Sequence, residues 1–109
     1  MSVVRSAQAG WRTVSTAGVS VKPLRDDKTT GASTFLLRVD AGARVPLHDH
    51  PGGEELFVIE GDLRVGGDHL QAGDYLYTPP DGKHAASSEG GCVVLVTTPK
   101  PVRFVELRG

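Results

Sequence analysis

The sequence predicts an all-β protein, a sandwich or a small barrel, on three observations. The chain has 14 Gly and 7 Pro among 109 residues, and these turn-forming residues are spread along its whole length. The longest stretch free of both is residues 32–41, which leaves little room for a helix of ordinary length. Between these breaks lie short segments rich in β-branched residues, as in sandwiches and barrels.

Three segments carry the strongest strand pattern. Residues 33–39 partly alternate between polar and apolar side chains, as a half-buried strand does. Residues 55–59 and 92–97 are more continuously apolar and predict more fully buried strands. Gly-Gly-Asp at 66–68 predicts a hairpin turn. Weaker strands are expected at residues 19–24, 63–65, 74–78 and 102–107, and residues 1–10 are expected to form an N-terminal arm.

Composition and length narrow the range of functions. Twelve Lys and Arg against thirteen Asp and Glu give a net charge of −1, which offers no basic surface for nucleic acid or an anionic membrane. The length predicts a single domain over residues 1–109. The single cysteine, Cys92, excludes an internal disulfide and is expected in the core. Without a membrane-length apolar run or a signal segment, a soluble cytoplasmic protein is expected.

Three of the four histidines form a pattern typical of metal ligands. His48 and His50 flank Asp49, and residues two apart on an extended chain face the same side. Glu54 follows after the turn at 51–53, and His84 follows a second turn at 79–82. Three imidazoles and a carboxylate suit Zn, Fe, Ni, Mn or Cu better than calcium or magnesium. Taken alone this pattern is weak evidence for a metal site, because histidine pairs are also common in polar loops, and the ligand types leave the identity of a bound ion open.

The spacing around these residues resembles the two signatures of the cupin superfamily. The second signature has two departures: the glycine expected two residues after Pro79 is displaced to Gly82, and the asparagine expected four residues after His84 is replaced by Ser88. The first signature covers residues 42–61, with Gly42, His48, His50, Glu54 and Gly61, and the second covers residues 73–88, with Gly73, Pro79 and His84.

Shorter motifs narrow the resemblance to the ChrR-like branch of the cupins. They are His-Asp-His-Pro-Gly-Gly-Glu-Glu at 48–55, Val-Ile-Glu-Gly at 58–61, Gly-Asp-Tyr at 73–75 and Glu-Gly-Gly-Cys at 89–92, and the resemblance runs from about residue 11 to 96. The branch is named after the C-terminal domain of zinc-binding anti-sigma factors, and it resembles dioxygenases that cleave carbon–carbon bonds beside a carbonyl. The resemblance implies a double-stranded β-helix (jelly-roll) cupin barrel with one divalent ion. The ligands it implies are His48, His50, Glu54 and His84.

Several side chains allow more than one interpretation. Glu54 and Glu55 are neighbours on an expected strand, so only one of them faces inward. The six-residue spacing to Gly61 favours Glu54, whereas a bulge after Gly53 would exchange the two. His69 lies outside both signatures and is expected on a hairpin surface. The aromatic residues are expected in the barrel core or at dimer contacts: Trp11, Phe35, Phe57, Tyr75, Tyr77 and Phe104.

Two functions follow from the resemblance. The first is an Fe(II)-dependent dioxygenase acting on a small dicarbonyl or hydroxyketone, since four protein ligands leave two positions on a six-coordinate ion. The second is a non-catalytic cupin that binds zinc or a small ligand, because a four-coordinate zinc with these ligands is closed. No catalytic acid or base is identified beyond the ligands, and no organic cofactor is expected.

The resemblance also bears on partners. Direct inhibition of a sigma factor is not expected, because the N-terminal helical zinc domain of those regulators has no counterpart in this sequence. A small-molecule ligand or substrate is expected in the barrel, without nucleic acid or membrane partners. A homodimer is expected, with residues 1–16 and 102–107 as the contributing segments.

Overall fold

A computed structural model describes residues 1–101 and 103–104, and its regular structure is almost entirely β. In this part of the chain no helix is long and apolar enough to cross a membrane. A single 3-10 turn, Ser6–Gln8, precedes the strands. The strands are β1 (Arg12–Thr13), β2 (Val19–Asp26), β3 (Ser33–Val39), β4 (Arg44–His50), β5 (Glu54–Val65), β6 (Asp68–Gln71), β7 (Tyr75–Thr78), β8 (Gly82–Ser87), β9 (Cys92–Thr98) and β10 (Arg103–Phe104).

The strands pair antiparallel into a sheet that curls into a barrel. Their order is β1-β2-β3-β9-β5-β8-β4-β10, and β6 and β7 also pair with β5. The first half of β5 pairs with β7 and β9, whereas its end pairs with β6 and β8. A register shift between Val58 and Glu60 allows this long strand to bend from one half of the barrel to the other. The predicted all-β barrel is confirmed.

Side chains that alternate along the strands fill the inside of the barrel. In β9, and on either side of the bulge in β5, every second residue is buried, including Leu56 and Val58 on β5 and Val94 and Val96 on β9. Burying each such side chain contributes roughly 1.5–3 kcal/mol. Cys92 belongs to this core, as predicted, and burial raises the pKa of its thiol. The core consists of Val19, Val39, Val45, Leu56, Val58, Leu63, Val65, Ala86, Cys92, Val94 and Val96.

Local patterns located several strands correctly and missed others. The strand predicted at residues 33–39 is confirmed as β3, and Gly66 and Gly67 form the hairpin turn between β5 and β6. Residues 55–59 and 63–65 were expected as separate strands but belong to β5, because the bulge bends the chain without ending its pairing. β6 and β8 were not predicted. Of the strand expected at residues 102–107, only Arg103–Phe104 lies within the described residues.

The expectation that residues 55–59 form a more fully buried strand is wrong, because every second residue of this segment is exposed. The side chains of β5 alternate, and the outward residues Phe57 and Ile59 are 43% and 48% exposed. Tyr75 and Tyr77 on β7 are each 56% exposed, so Phe57 and both tyrosines lie outside the barrel core. Phe35 packs against the core, as expected.

Trp11 lies on the outside of the barrel between two cationic side chains. Its ring centroid is 4.3 Å from the guanidinium carbon of Arg38 and 4.9 Å from Nζ of Lys22. Lys22 Nζ also donates a hydrogen bond of 2.6 Å to the carbonyl of Ser6. These contacts attach the N-terminal segment to the outer face of β2 and β3.

Asp62 fixes the loop between β8 and β9. Its carboxylate accepts hydrogen bonds from the backbone N–H groups of Gly90 (2.8 Å) and Glu89 (3.1 Å), which lower the pKa of Asp62. Ser88 Oγ donates to the Asp62 carbonyl at 2.6 Å. His69 Nε2 lies 3.2 Å from the same carboxylate, on the hairpin surface as predicted. Ser88 stands where the cupin signature has asparagine, and it hydrogen-bonds to β5 through the Asp62 carbonyl.

Gly61 allows two backbone segments to approach more closely than a side chain would permit. Its φ is +81°, and a Cβ atom there would lie 1.9 Å from the Gly91 carbonyl oxygen and 2.7 Å from the Cys92 Cα. Gly61 and Cys92 are paired in the β5–β9 ladder. The signature glycine at this position is therefore explained by backbone packing.

We expect Gly61→Ala to destabilise the protein by roughly 2–5 kcal/mol, because it adds a backbone clash to a strained left-handed residue. The matched control is Gly73→Ala, since Gly73 has φ +92° but a methyl group added there would meet no other atom within 4 Å. That control should lose only about 1–2 kcal/mol. Urea unfolding of the wild type and the two variants measures both losses of stability. Equal losses for the two variants would contradict a backbone clash at Gly61.

Candidate metal centre

The pairing of β4 with β8 brings the three predicted histidines together. His48 and His84 are direct partners across the antiparallel ladder, and His50 lies two residues further along β4 on the same face. The centroids of the three rings are 4.5–4.7 Å apart. One ligand atom from each histidine lies within 4.8 Å of the others. The cluster is therefore close enough to hold a metal ion.

A tight turn returns Glu54 to this cluster. The His50 carbonyl accepts hydrogen bonds from the N–H groups of Gly53 (3.0 Å) and Asp81 (2.7 Å), so it joins the two turns that precede Glu54 and His84. Glu54 Oε2 lies 2.9 Å from His50 Nε2, and Oε1 lies 3.7 Å from His84 Nε2. The four residues of the predicted ligand set thus meet in one place, and their role as ligands remains a prediction.

Glu55 points away from the cluster. Glu54 is 6% exposed, whereas Glu55 is exposed and its Oε1 accepts a hydrogen bond of 2.8 Å from the Tyr75 hydroxyl. The bulge in β5 lies between Val58 and Glu60, so alternation is undisturbed at the start of the strand. Of the two glutamates, Glu54 is the one that faces the histidines.

Two backbone carbonyls orient two of the imidazoles. His48 Nδ1–H donates to the Pro46 carbonyl at 2.8 Å, and His50 Nδ1–H donates to the Gly82 carbonyl at 3.2 Å. In these tautomers the lone pair of each ring is on Nε2, the atom that would bind a metal. Sequence reasoning did not identify either carbonyl. The glycine displaced to position 82 was the available sequence signal for this close packing. A side chain there would clash, because its Cβ would lie 2.5 Å from Thr78 Cγ2.

The displaced glycine leaves Asp81 at the position where the signature has glycine. Asp81 has φ +65°, and among the described residues it is the one non-glycine residue with positive φ. Aspartate adopts this left-handed conformation at lower cost than most residues. The turn therefore keeps the backbone conformation of the signature with a different residue.

The charges of the cluster favour a cation. Burial alone would raise the pKa of Glu54, but its contacts with His50 and His84 outweigh burial and lower this pKa to about 2. Burial likewise disfavours protonated His50, but the Glu54 carboxylate outweighs it and raises the pKa of His50. Burial lowers the pKa of His48, which keeps that ring neutral at pH 7. The ionised Glu54 carboxylate therefore favours a positive charge in the cluster, either a proton on His50 or a bound metal ion.

The donor set fits a divalent transition metal ion. Three buried nitrogens, His50 Nε2 and both ring nitrogens of His84, have no hydrogen-bond partner. The nearest polar atom to His50 Nε2 is Glu54 Oε2, in an ion-pair contact of 2.9 Å. Leaving a buried polar atom without a partner costs about 1–3 kcal/mol.

A cavity of about 420 Å³ opens over the cluster, a volume typical of small-molecule sites. His48, Glu54 and His84 are among the residues that line it. Most of its wall is apolar, and no lysine or arginine lines it among the described residues. The wall includes Val21, Phe35, Leu37, Leu56, Leu63 and Val96.

We expect Asp81→Gly to be neutral or to stabilise the protein by up to about 1 kcal/mol, because glycine adopts positive φ without strain. Asp81→Ala should instead destabilise it by about 1 kcal/mol, since alanine lacks the polar side chain that eases this conformation. Urea unfolding of both variants measures the difference. A lower urea midpoint for Asp81→Gly than for Asp81→Ala would contradict this prediction.

Comparison with known proteins agrees with this architecture. The anti-sigma-E factor ChrR of Cereibacter sphaeroides is 35% identical over 71 residues, which are 63% of this chain and 33% of ChrR. The chain thus matches about a third of that relative's length. In the crystal structure of Rhodobacter sphaeroides SigE in complex with the anti-sigma ChrR, one chain is 30% identical, with a TM-score of 0.75, covering 86% of this chain and 51% of that one.

A second solved structure is more similar in fold. A putative acetylacetone dioxygenase from Methylibium petroleiphilum PM1 superimposes with a TM-score of 0.90 at 24% identity, covering 100% of this chain and 83% of that one. It confirms the predicted cupin barrel. The ChrR Cupin-like domain family matches residues 1–101. On the strength of that match, this chain belongs to the ChrR cupin-like family.

Proposed function

We propose that this protein binds one divalent transition metal ion through His48, His50, Glu54 and His84. The observation that carries the proposal is the convergence of these four side chains, three of which line a mostly apolar cavity, with three ring nitrogens lacking hydrogen-bond partners. The carbonyls of Pro46 and Gly82 support it, because they turn the Nε2 lone pairs of two rings toward the common centre.

We further propose that the protein is an Fe(II)-dependent dioxygenase acting on a small dicarbonyl or hydroxyketone. Four protein ligands leave two positions on a six-coordinate ion, enough for both oxygens of such a substrate. The cavity volume and apolar wall fit a small neutral molecule. The shared fold with a protein described as a putative acetylacetone dioxygenase motivates this substrate class.

The chain's own residues have defined roles in this proposal. When bound, the iron would coordinate substrate oxygens and supply redox chemistry toward dioxygen. His48 and His50 hold fixed orientations through their Nδ1–H donors. The apolar wall, with Phe35 and Leu56, excludes water from the reacting molecule. Glu54 contributes negative charge, which reduces the net charge of the occupied site.

A second function is favoured by one observation, the 35% identity to the anti-sigma-E factor ChrR. In this alternative the protein binds zinc or a small ligand without turnover. A zinc ion with four protein ligands has no open position, so the site would be structural or sensory. The two functions therefore differ in whether the metal keeps exchangeable positions.

The ligand set predicts different effects for the two adjacent glutamates. Glu54→Gln should weaken metal binding by at least about 100-fold, because it removes a charged ligand from a buried site. Glu55→Gln should leave affinity unchanged, since that side chain is outside the barrel. Titration calorimetry with Zn²⁺ and elemental analysis measure both. Equal affinities for the two variants would contradict the role of Glu54.

Turnover discriminates between the two functions. Protein loaded with Fe(II) without oxygen should consume dioxygen when air and acetylacetone are supplied, whereas zinc-loaded protein should not, because zinc has no accessible redox change. An oxygen electrode records the uptake, and His84→Ala serves as the control that lacks a predicted ligand. No uptake by the iron form across small diketones would exclude the dioxygenase and leave the non-catalytic function.

A further inference from the structure

A row of polar side chains crosses the inner face of the sheet at the level of Glu54. The antiparallel register of β5 and β9 continues to place Glu54 opposite Thr98. Thr98 is paired with Ser33 on β3, and Ser33 is paired with Asp26 at the end of β2. All four residues line the cavity. The row therefore leads from the candidate metal centre, across β9 and β3, to Asp26.

Asp26 lies where the cavity opens to solvent. This residue is exposed, whereas Thr98 in the same row is 1% exposed. Asp26, Ser33 and Phe35 also line a groove that adjoins the cavity, so the two spaces share part of their wall. Ser33 Oγ donates a hydrogen bond of 3.0 Å to Asp26 Oδ1, which ties the carboxylate to β3 at this opening.

The charged side chains around the cavity favour one kind of ligand group at its opening. Among the described lining residues, Asp26 and Glu54 are the carboxylates, and none is a lysine or arginine. Arg12 lines the adjoining groove but not the cavity. A carboxylate accepts several hydrogen bonds, so the bond from Ser33 leaves Asp26 with further acceptor capacity. A ligand group that donates hydrogen bonds is attracted to Asp26, whereas a ligand carboxylate is repelled.

We propose that Asp26 determines which substrates this cavity accepts. The favoured substrate is a dicarbonyl or hydroxyketone whose remote end donates hydrogen bonds, an ammonium group above all, and a substrate with a remote carboxylate is disfavoured. This inference rests on the proposed metal centre, because paired oxygens held beside Glu54 leave the remote end to extend along the polar row. Asp26 is a specificity-determining residue and takes no part in the chemistry.

The dimensions of the row suit a short substrate chain. Strands lie about 4.8 Å apart, so the three steps from β5 to β2 cover about 14 Å along the curled sheet. The side chains of Glu54 and Asp26 both occupy part of that span. A chelating group with a chain of four to six carbons is roughly 7–10 Å long. A chain of this length fits the cavity of about 420 Å³ and contacts its apolar wall, which includes Phe35 and Val96.

Hydroxamates test this specificity, because they bind a divalent metal through two oxygens as a dicarbonyl does. Protein loaded with Co²⁺ is titrated with hydroxamates whose chains of four or six carbons end in methyl, ammonium or carboxylate. Asp26→Asn should weaken binding of the ammonium ligand about 5-fold at one or both chain lengths, the scale of a partly exposed ion pair. It should strengthen binding of the carboxylate ligand by a similar factor and leave the methyl ligand unchanged. Calorimetry and the visible absorption of cobalt measure these affinities.

The variants separate the charge of Asp26 from its structural contact. Asp26→Asn keeps an acceptor oxygen for Ser33 and removes only the charge. Asp68→Asn is the matched control, because Asp68 is exposed at the start of β6 and lines neither the cavity nor the groove. The control should change none of the three affinities. Elemental analysis verifies that every variant holds the same amount of cobalt.

Two kinds of failure are distinguishable. If cobalt and the hydroxamates bind but Asp26→Asn alters neither the ammonium nor the carboxylate ligand at either chain length, the role of Asp26 is overturned and the metal centre stands. Equal changes in Asp26→Asn and Asp68→Asn would overturn the role of Asp26 in the same way. Protein that takes up no cobalt, or a cobalt form that binds no hydroxamate, would overturn the open metal centre and this inference with it.

Discussion

The antiparallel register between β4 and β8 is the constraint on which the candidate site depends. It sets His48 directly opposite His84 and His50 opposite Gly82, whose carbonyl orients the His50 ring. A shift of one residue would turn each side chain of β4 to the other face and disperse the histidines. The His50 carbonyl reinforces the register by accepting N–H groups from Gly53 and Asp81, which belong to the turns on either side.

The cluster of His48, His50, Glu54 and His84 lowers the stability of an otherwise well-packed barrel, because it buries polar atoms. Around it, buried valines and leucines fill the interior, whereas His50 and His84 bury ring nitrogens without hydrogen-bond partners. The ionised Glu54 offsets part of this cost through its contacts with both rings. A ligand that binds only the folded state, such as a cation at this centre, stabilises that state by mass action. The proposed metal would thus contribute to both stability and chemistry.

β5 connects the interior of the barrel with its outer surface. Its inward residues, Glu54 and Leu56, line the cavity, while the outward residues that alternate with them, Glu55 and Phe57, face solvent. The two-residue period of a strand separates these roles. Substitutions on the outer side can therefore be made while the cavity lining is retained. The bulge after Val58 then carries the strand into the other half of the barrel.

The sequence by itself determined the features that depend on neighbouring residues. The strand at 33–39, the turn at Gly66 and Gly67 and the same-face placement of His48 and His50 are local, and the structure contains each of them. The cupin signatures added the barrel, because their spacing reflects a fold already known. The position of His84 beside His48 followed from that resemblance and not from any local pattern.

Only the tertiary structure decided the features that depend on distant segments. The continuity of β5, the exposure of Phe57, the left-handed Asp81 and the carbonyls that orient the two imidazoles all arise from pairing between strands far apart in the chain. The apolar run at 55–59 does not reveal which of its faces the barrel covers. Hydrophobicity fixes that a strand is buried on at least one face, whereas the packing of its partners fixes how many.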